Sequence, residues 1–278
     1  MSTTGEQGST RKQRREEARA RRKALESQAA QQELRRRRLI QLGAAALVVI
    51  AVVAIAFAVS SGSSGNSAAK PHSKAANEAS ATVDSLINGI PQSGNVLGNP
   101  HAPATLVYFG DLQCPICREF TLGAFPSVVA NFVRTGKLKV EYRSMETATR
   151  EPAIFREQQA AALAAGLQHK MWYFVELFYH EQGEEDSGYV TPAYLRGLAQ
   201  QVPGLNLARW EAERSSPKLV EEVERNETEA GEQGFNGTPS FLLGKTGGPM
   251  RKVTELTGAD LNEASALFEP EIEKALKS

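Results

Sequence analysis

The sequence predicts an α/β domain with an inserted helical subdomain, preceded by one transmembrane helix. Three observations predict it. Residues 39–59 form an apolar run without a charge; a strand–helix–strand pattern occupies residues 104–143; and a hairpin followed by a helix closes the chain over residues 240–276. Between the last two lies a mainly helical stretch of about residues 144–236. The chain has 278 residues, enough for one large domain or two ordinary ones.

The 32 Lys+Arg balance the 32 Asp+Glu, but the charges are segregated. Residues 1–38 carry twelve Lys/Arg against five Glu, so the front is basic by seven and the remainder acidic by seven. Such asymmetry points to two environments. Residues 1–10 are polar and read as disordered. Residues 11–38 are rich in good helix formers but have no apolar stripe, since Leu25 and Leu34 are nearly their only large apolar residues. The segment reads as a solvated basic head; no nucleic-acid partner is expected, because the next segment accounts for the charge. Residues 39–59 include a single polar residue, Gln41. At a helical rise of 1.5 Å they span roughly 30 Å, the thickness of a hydrocarbon core.

Arg35-Arg36-Arg37-Arg38 precedes the run and a Ser/Gly stretch follows it. By the positive-inside rule the head is cytoplasmic and everything after Val59 is extracytoplasmic. A cleaved signal peptide has a shorter apolar region, about 7–15 residues, and Ala56-Phe57-Ala58, which resembles a small-x-small cleavage site, lies inside the run. A retained signal anchor is the better reading, and with no cysteine directly after the run a lipoprotein anchor is excluded. Residues 60–81, with no large apolar side chain, read as a flexible tether with an r.m.s. reach of about 25 Å. The globular domain is then 82–278.

Within it, residues 83–90 fit a short helix or an edge strand, and two turn-rich connections follow. Ala104-Thr105-Leu106-Val107-Tyr108-Phe109 is a buried strand, and Gly110-Asp111 leads from it into a helical pattern over 120–134 that Pro126 kinks or splits. Residues 138–143 alternate with period two, a second strand, and strand–helix–strand implies a parallel pair. Helices are predicted over 152–167 and 170–182. Others begin at Thr191-Pro192, Asn206 and Ser216-Pro217, on capping residues and first-turn prolines. After the break Phe235-Asn236-Gly237-Thr238-Pro239, strands at 240–243 and 250–256 make a hairpin, and a helix over 261–276 closes the chain. Two N-glycosylation patterns, at Asn226 and Asn236, read as chance, one in a helix and one at the proline break.

Cys114 and Cys117, the only cysteines, lie three apart at the first strand-to-helix junction. A bridge that short constrains the unfolded chain by only about 2 kcal/mol, so it is better suited to being made and broken than to stapling the fold. A structural zinc needs four ligands, commonly as two close pairs, and His72, His101, His169 and His180 are scattered singly. Arg118 stands where the haem pattern CxxCH requires histidine. Redox chemistry is the reading the spacing favours, and an extracytoplasmic location would let the disulfide persist.

The motif Phe109-Gly110-Asp111-Leu112-Gln113-Cys114-Pro115-Ile116-Cys117, the helices around Ala164-Ala165-Gly166 and Met171-Trp172-Tyr173-Phe174, and Gly237-Thr238-Pro239-Ser240-Phe241 carry a resemblance. Over about residues 85–277 the chain resembles the thioredoxin fold, and its helical insertion resembles the DsbA-like thiol–disulfide oxidoreductases. The resemblance implies that Pro239 is a cis-proline packed against the disulfide, and that the Thr238 backbone pairs with an extended substrate peptide. It also implies a membrane partner that reoxidises the site, and no cofactor beyond the redox-active Cys114–Cys117 disulfide.

Position then assigns roles. Cys114, at the helix start, meets unpaired N–H groups and the positive end of the dipole, which lower its pKa. It is the attacking, solvent-facing sulfur, and Cys117, one turn further in, the resolving one. Pro115 stiffens the turn. Ile116 brings no charge and stands where the family's strongest oxidants carry histidine. Tyr108 stands six residues before Cys114, where related enzymes often place a buried acid. With Asp111 on the loop, proton transfer is left to water. The expected function is oxidation of exported proteins by dithiol exchange. A reductase or isomerase using the same site is the alternative, and a tethered peptide-binding module or a zinc-binding module are rivals from other classes.

Overall fold

The computed structural model describes residues 73–253 and 265–277. The predicted head 1–38, anchor 39–59 and most of the tether lie outside the described residues. Among the described residues no helix is long and apolar enough to cross a membrane.

A six-stranded sheet in the order β1-β2-β4-β3-β5-β6 forms the centre. Its strands are β1 (Gln92–Ser93), β2 (Val96–Leu97), β3 (Ala104–Gly110), β4 (Leu138–Ser144), β5 (Ser240–Lys245) and β6 (Met250–Lys252). β3 and β4 are parallel, as the crossover pattern predicts, and every other pairing is antiparallel. All seven residues of β3 are buried, because both faces of this central strand are covered. Leu106 and Tyr108 enter the main core, whereas Val107 and Phe109 pack with Met145, Ala230 and Leu242 on the other face. β4 buries alternate residues, the outcome its period-two pattern predicts. Its polar face carries Arg143, which pairs with Glu229 at 3.4 Å on α8 (Pro217–Glu232).

The crossover helix is split, not kinked. α2 (Pro115–Leu122) stops at Gly123, and α3 (Phe125–Val128) starts afresh with Pro126 in its first turn before a wider turn over Val129–Val133. Proline is well placed there, since first-turn N–H groups have no intrahelical partner. The insertion consists of α4 (Pro152–Gly166), α5 (Met171–His180), α6 (Pro192–Gln201), α7 (Leu207–Glu213) and α8. Thr191 and Asn206 cap as predicted, accepting from Tyr194 N at 3.1 Å and Arg209 N at 3.0 Å. Trp172 on α5 stacks on Phe125 and donates its indole N–H to the Asn95 carbonyl at 3.0 Å, fastening the insertion to the sheet. α9 (Ser265–Lys277) runs through Pro270 without interruption.

Two local expectations are corrected. Residues 74–81, predicted as tether, are helical, and of the two readings of residues 83–90 the helix holds as far as Ile87: α1 (Lys74–Ile87) is a single helix capped by Ser73. Its core face is only Ala76, Val83 and Ile87, too sparse an apolar stripe to stand out against a Ser/Ala/Lys background. The turn-rich connection holds the β1–β2 hairpin around Gly94-Asn95, whose two-residue strands are too short to show a period. At Gly98, a Cβ would sit 2.9 Å from the Leu138 carbonyl, at a φ of +111°, so only glycine lets the hairpin return against β4. Asn226 is buried and donates to Ser144 Oγ at 3.2 Å, which agrees with reading its glycosylation pattern as chance.

Candidate active site

β3 delivers the chain at Gly110 into a three-residue loop, and Cys114 is the N-cap of α2. Its sulfur accepts from the Cys117 backbone N–H at 3.3 Å, and as a thiol it donates to the Thr238 carbonyl at 3.4 Å. The Thr238–Pro239 peptide is cis. The structure therefore brings together residues 124 positions apart in sequence. Both cysteines are free thiols. Cys117 is fully buried, and Cys114, expected to face solvent, is itself only 5 % exposed; the loop carrying Thr238 covers it. The neighbouring Ile116 is 44 % exposed, presenting an apolar side chain beside the dithiol, and Pro115 is also exposed.

The two thiols are pushed in opposite directions. A hydrogen bond from the Cys117 side chain, with further ones from Thr238 and the backbone N–H groups of the helix start, outweighs burial and lowers Cys114 from 9.0 to about 7. Burial, then the hydrogen bond with Cys114 and its charge, raises Cys117 well above the ordinary value. The thiolate is thus localised on Cys114, the arrangement an attacking sulfur requires. Alkylation of the reduced protein with iodoacetamide is expected to mark Cys114 first, its rate rising with pH through a midpoint near 7. Cys117→Ala should move that midpoint upward, because it removes the leading stabilising hydrogen bond. Peptide mapping across a pH series measures it, and an unchanged midpoint would refute the assignment.

Beneath Cys117 lie three buried tyrosines. Tyr108 donates to the Tyr179 hydroxyl at 3.2 Å, Tyr179 donates to the Asp111 carbonyl at 3.1 Å, and Tyr142 donates to the Gly110 carbonyl at 3.0 Å. Burial holds all three well above 10.0, so they stay neutral and act as donors. Tyr108 is also packed by the rings of Phe120, Tyr142 and Phe241. It is a packed, hydrogen-bonded core residue.

Asp111 is fully buried, and its carboxyl oxygens collect hydrogen bonds from distant parts of the chain. Its Oδ2 accepts from the backbone N–H groups of Thr147, Ala148 and Thr149 at 3.1, 2.9 and 2.9 Å. Its Oδ1 accepts from Gln113 N, Thr149 Oγ1 and Gln158 Nε2. The carboxylate thereby gathers the loop after β4 onto the dithiol loop, and Thr147 in turn shares a hydroxyl hydrogen bond with Thr238. Gln182, just past α5, donates to the carbonyls of Leu112 and Cys114 at 2.8 and 3.1 Å. Sequence reasoning missed Gln158, Gln182 and Thr147, and nothing in their local pattern marks them; their contacts to the dithiol loop span 36 or more residues.

The fold and the dithiol at its strand–helix junction define a thiol–disulfide oxidoreductase. The chain belongs to the thioredoxin family, whose model described as "Thioredoxin" matches residues 92–251. It is 23 % identical over 176 residues to the probable disulfide bond formation protein D of Bacillus anthracis, covering 58 % of this chain and 78 % of that one. The crystal structure of oxidised BdbD from Bacillus subtilis superposes with a TM-score of 0.56 at 22 % identity, over 69 % of this chain and 99 % of that chain. A 31 % identity over 157 residues links 56 % of this chain to 24 % of the Na(+)/H(+) antiporter NhaA 1 of Mycolicibacterium gilvum. That relation involves a quarter of a much longer protein and brings no transport activity with it.

Proposed function

We propose that the protein is a membrane-anchored, extracytoplasmic oxidase that passes a Cys114–Cys117 disulfide to cysteine pairs of exported proteins. The observation that carries the chemistry is the opposed tuning of the two thiols, with Cys114 set at the helix start against Thr238 and cis-Pro239. A client thiolate attacks Cys114 Sγ, the Cys114–Cys117 bond breaks, and Cys117 leaves as a thiolate and takes up a proton. The client's second thiolate then attacks its own sulfur in the mixed disulfide and releases the Cys114 thiolate. Two electrons pass from client to enzyme, and a membrane partner of quinone-linked type would remove them. Thr238 and Pro239 form the wall along which an extended client peptide lies, and Pro115 and Ile116 set the properties of the turn.

The oxidative direction is supported by relatives named for disulfide bond formation. The anchor at residues 39–59 and the basic head at 1–38 support the topology, with the tether ending before α1 and the catalytic domain following it.

One observation favours the reductase or isomerase reading. Cys114 at about 7 lies near the thioredoxin thiol, about 7, and far from DsbA, about 3.5; a less stabilised thiolate makes a weaker oxidant. The reduction potential of the pair, measured against glutathione, decides between them. A value near about −120 mV supports the oxidase, and one near about −270 mV overturns it in favour of the reductant.

A further inference from the structure

A cavity of about 580 Å³ opens between α1, the α2–α3 arm and α5, in the size range of pockets for small organic ligands, roughly 300–1,000 Å³. Exposed Ala81 and Thr82 on α1 stand at its mouth, Leu122, Pro126 and Val129 supply apolar wall, and Glu176 lines its interior. Glu176 is fully buried, and neither of its carboxyl oxygens has a hydrogen-bond partner. Burial pushes its carboxyl up to about 8. Buried polar groups are nearly always satisfied, and an exception calls for an explanation.

The other charged or titratable residues lining the cavity are Arg134 and His180, and neither neutralises Glu176. Arg134 donates to the carbonyls of Leu86 at 2.6 Å and Asn88 at 3.1 Å, at the C-terminal end of α1. His180, one turn beyond Glu176, is held toward its neutral form by burial and by Arg118. Thr121, contributed by α2, already shares a hydrogen bond with the Tyr108 hydroxyl. An acid without a counter-charge thus faces a space with apolar walls.

We propose that this cavity binds a small organic cation, a primary ammonium group on a short apolar body, with the charge seated on Glu176 and the body against Leu122, Pro126 and Val129. A metal ion fits less well. The cavity offers one carboxylate and one imidazole, and among the described residues no group of three His, Cys, Asp or Glu could hold one. An anion would meet the carboxylate. Binding an ammonium ion requires Glu176 to ionise, so a proton passes from Glu176 to solvent as the ligand enters. Affinity rises with pH as Glu176 titrates, until the amine itself loses its proton. The site is independent of the dithiol chemistry.

Isothermal titration of the full chain in detergent micelles tests this, with 2-phenylethylamine as probe, 2-phenylethanol as its uncharged counterpart and protein-free micelles as blank. The amine is expected to bind at least about tenfold more tightly than the alcohol, the weight of one hydrogen bond to a charged group. Glu176→Gln should remove that preference. Ala81→Trp, at an exposed position that leaves the core untouched, should weaken binding by closing the mouth, and it keeps the test valid if Glu176→Gln lowers stability. Repeating the titration in buffers of different ionisation enthalpy should reveal the proton release at neutral pH. Both variants should keep wild-type dithiol oxidation. Equal binding of amine and alcohol, undiminished amine binding by Glu176→Gln, or no binding of the amine at millimolar concentration would overturn the proposal.

Discussion

Cys114→Ser is expected to reduce dithiol oxidation to the uncatalysed rate, a loss of about three orders of magnitude or more, because no Cys114–Cys117 disulfide can then form for a client thiolate to attack. The reason is structural as well as chemical. Cys114 is the sulfur at the helix start, with the Cys117 N–H 3.3 Å away and the Thr238 carbonyl on its other side. Cys117 is fully buried and raised well above the ordinary thiol range, so left alone it neither receives a client thiolate nor serves as a surrogate attacking sulfur. Cys117→Ser should behave differently. Its Cys114 thiolate can still attack a client disulfide, forming the Cys114–client bond while the client's other sulfur leaves, but no second thiol resolves the product. A covalent adduct should therefore accumulate in Cys117→Ser, visible on non-reducing gels and absent from Cys114→Ser. Full oxidase activity in Cys114→Ser would sink the catalytic assignment and leave the peptide-binding module as the better reading.

Asp111→Ala is expected to destabilise the domain by about 3–5 kcal/mol, since each buried donor left unsatisfied costs about 1–3 kcal/mol. Three consecutive backbone N–H groups, Thr147 to Thr149, end on one carboxylate oxygen, and alanine offers them nothing. Asp111→Asn should not rescue fully. With donors arriving at both oxygens, an amide must turn its NH₂ toward an N–H or a hydroxyl. Thermal or urea unfolding of the variants beside the wild type measures this, and a loss below about 1 kcal/mol, the worth of a single ordinary hydrogen bond, would show that the loop after β4 holds itself. Because Thr147 joins Thr238, the loss should also loosen the wall opposite Cys114.

Much of this architecture was legible because it is written in local patterns. The largely apolar β3 and the alternating β4 announce a central and a neighbouring strand. Thr191 and Asn206 mark helix starts through their own side chains, and the cysteine pair marks the strand–helix junction through its spacing. α1 was hard to read because two of its turns touch the core through little more than Ala76 and Val83. Glu176 was hidden for the opposite reason. In an isolated helix a glutamate marks the solvent face, yet every residue from Met171 to Tyr179 is buried, since other elements surround α5. Asp111, three residues before Cys114, looked like an ordinary loop carboxylate, and only the arrival of donors from 147–149 and 158 shows otherwise.

The sequence by itself determined the order of strands and helices from β3 onward, the redox pair and the helix start on which Cys114 sits, because these depend on neighbours within a few residues. Tertiary structure alone decided that Thr238 would cover Cys114, that Tyr108 would be enclosed by aromatic rings, that Asp111 would gather donors from distant loops, and that Glu176 would be enclosed without a hydrogen-bond partner. Each of those outcomes depends on burial and on donors supplied by distant segments, and neither is visible from a residue's neighbours along the chain.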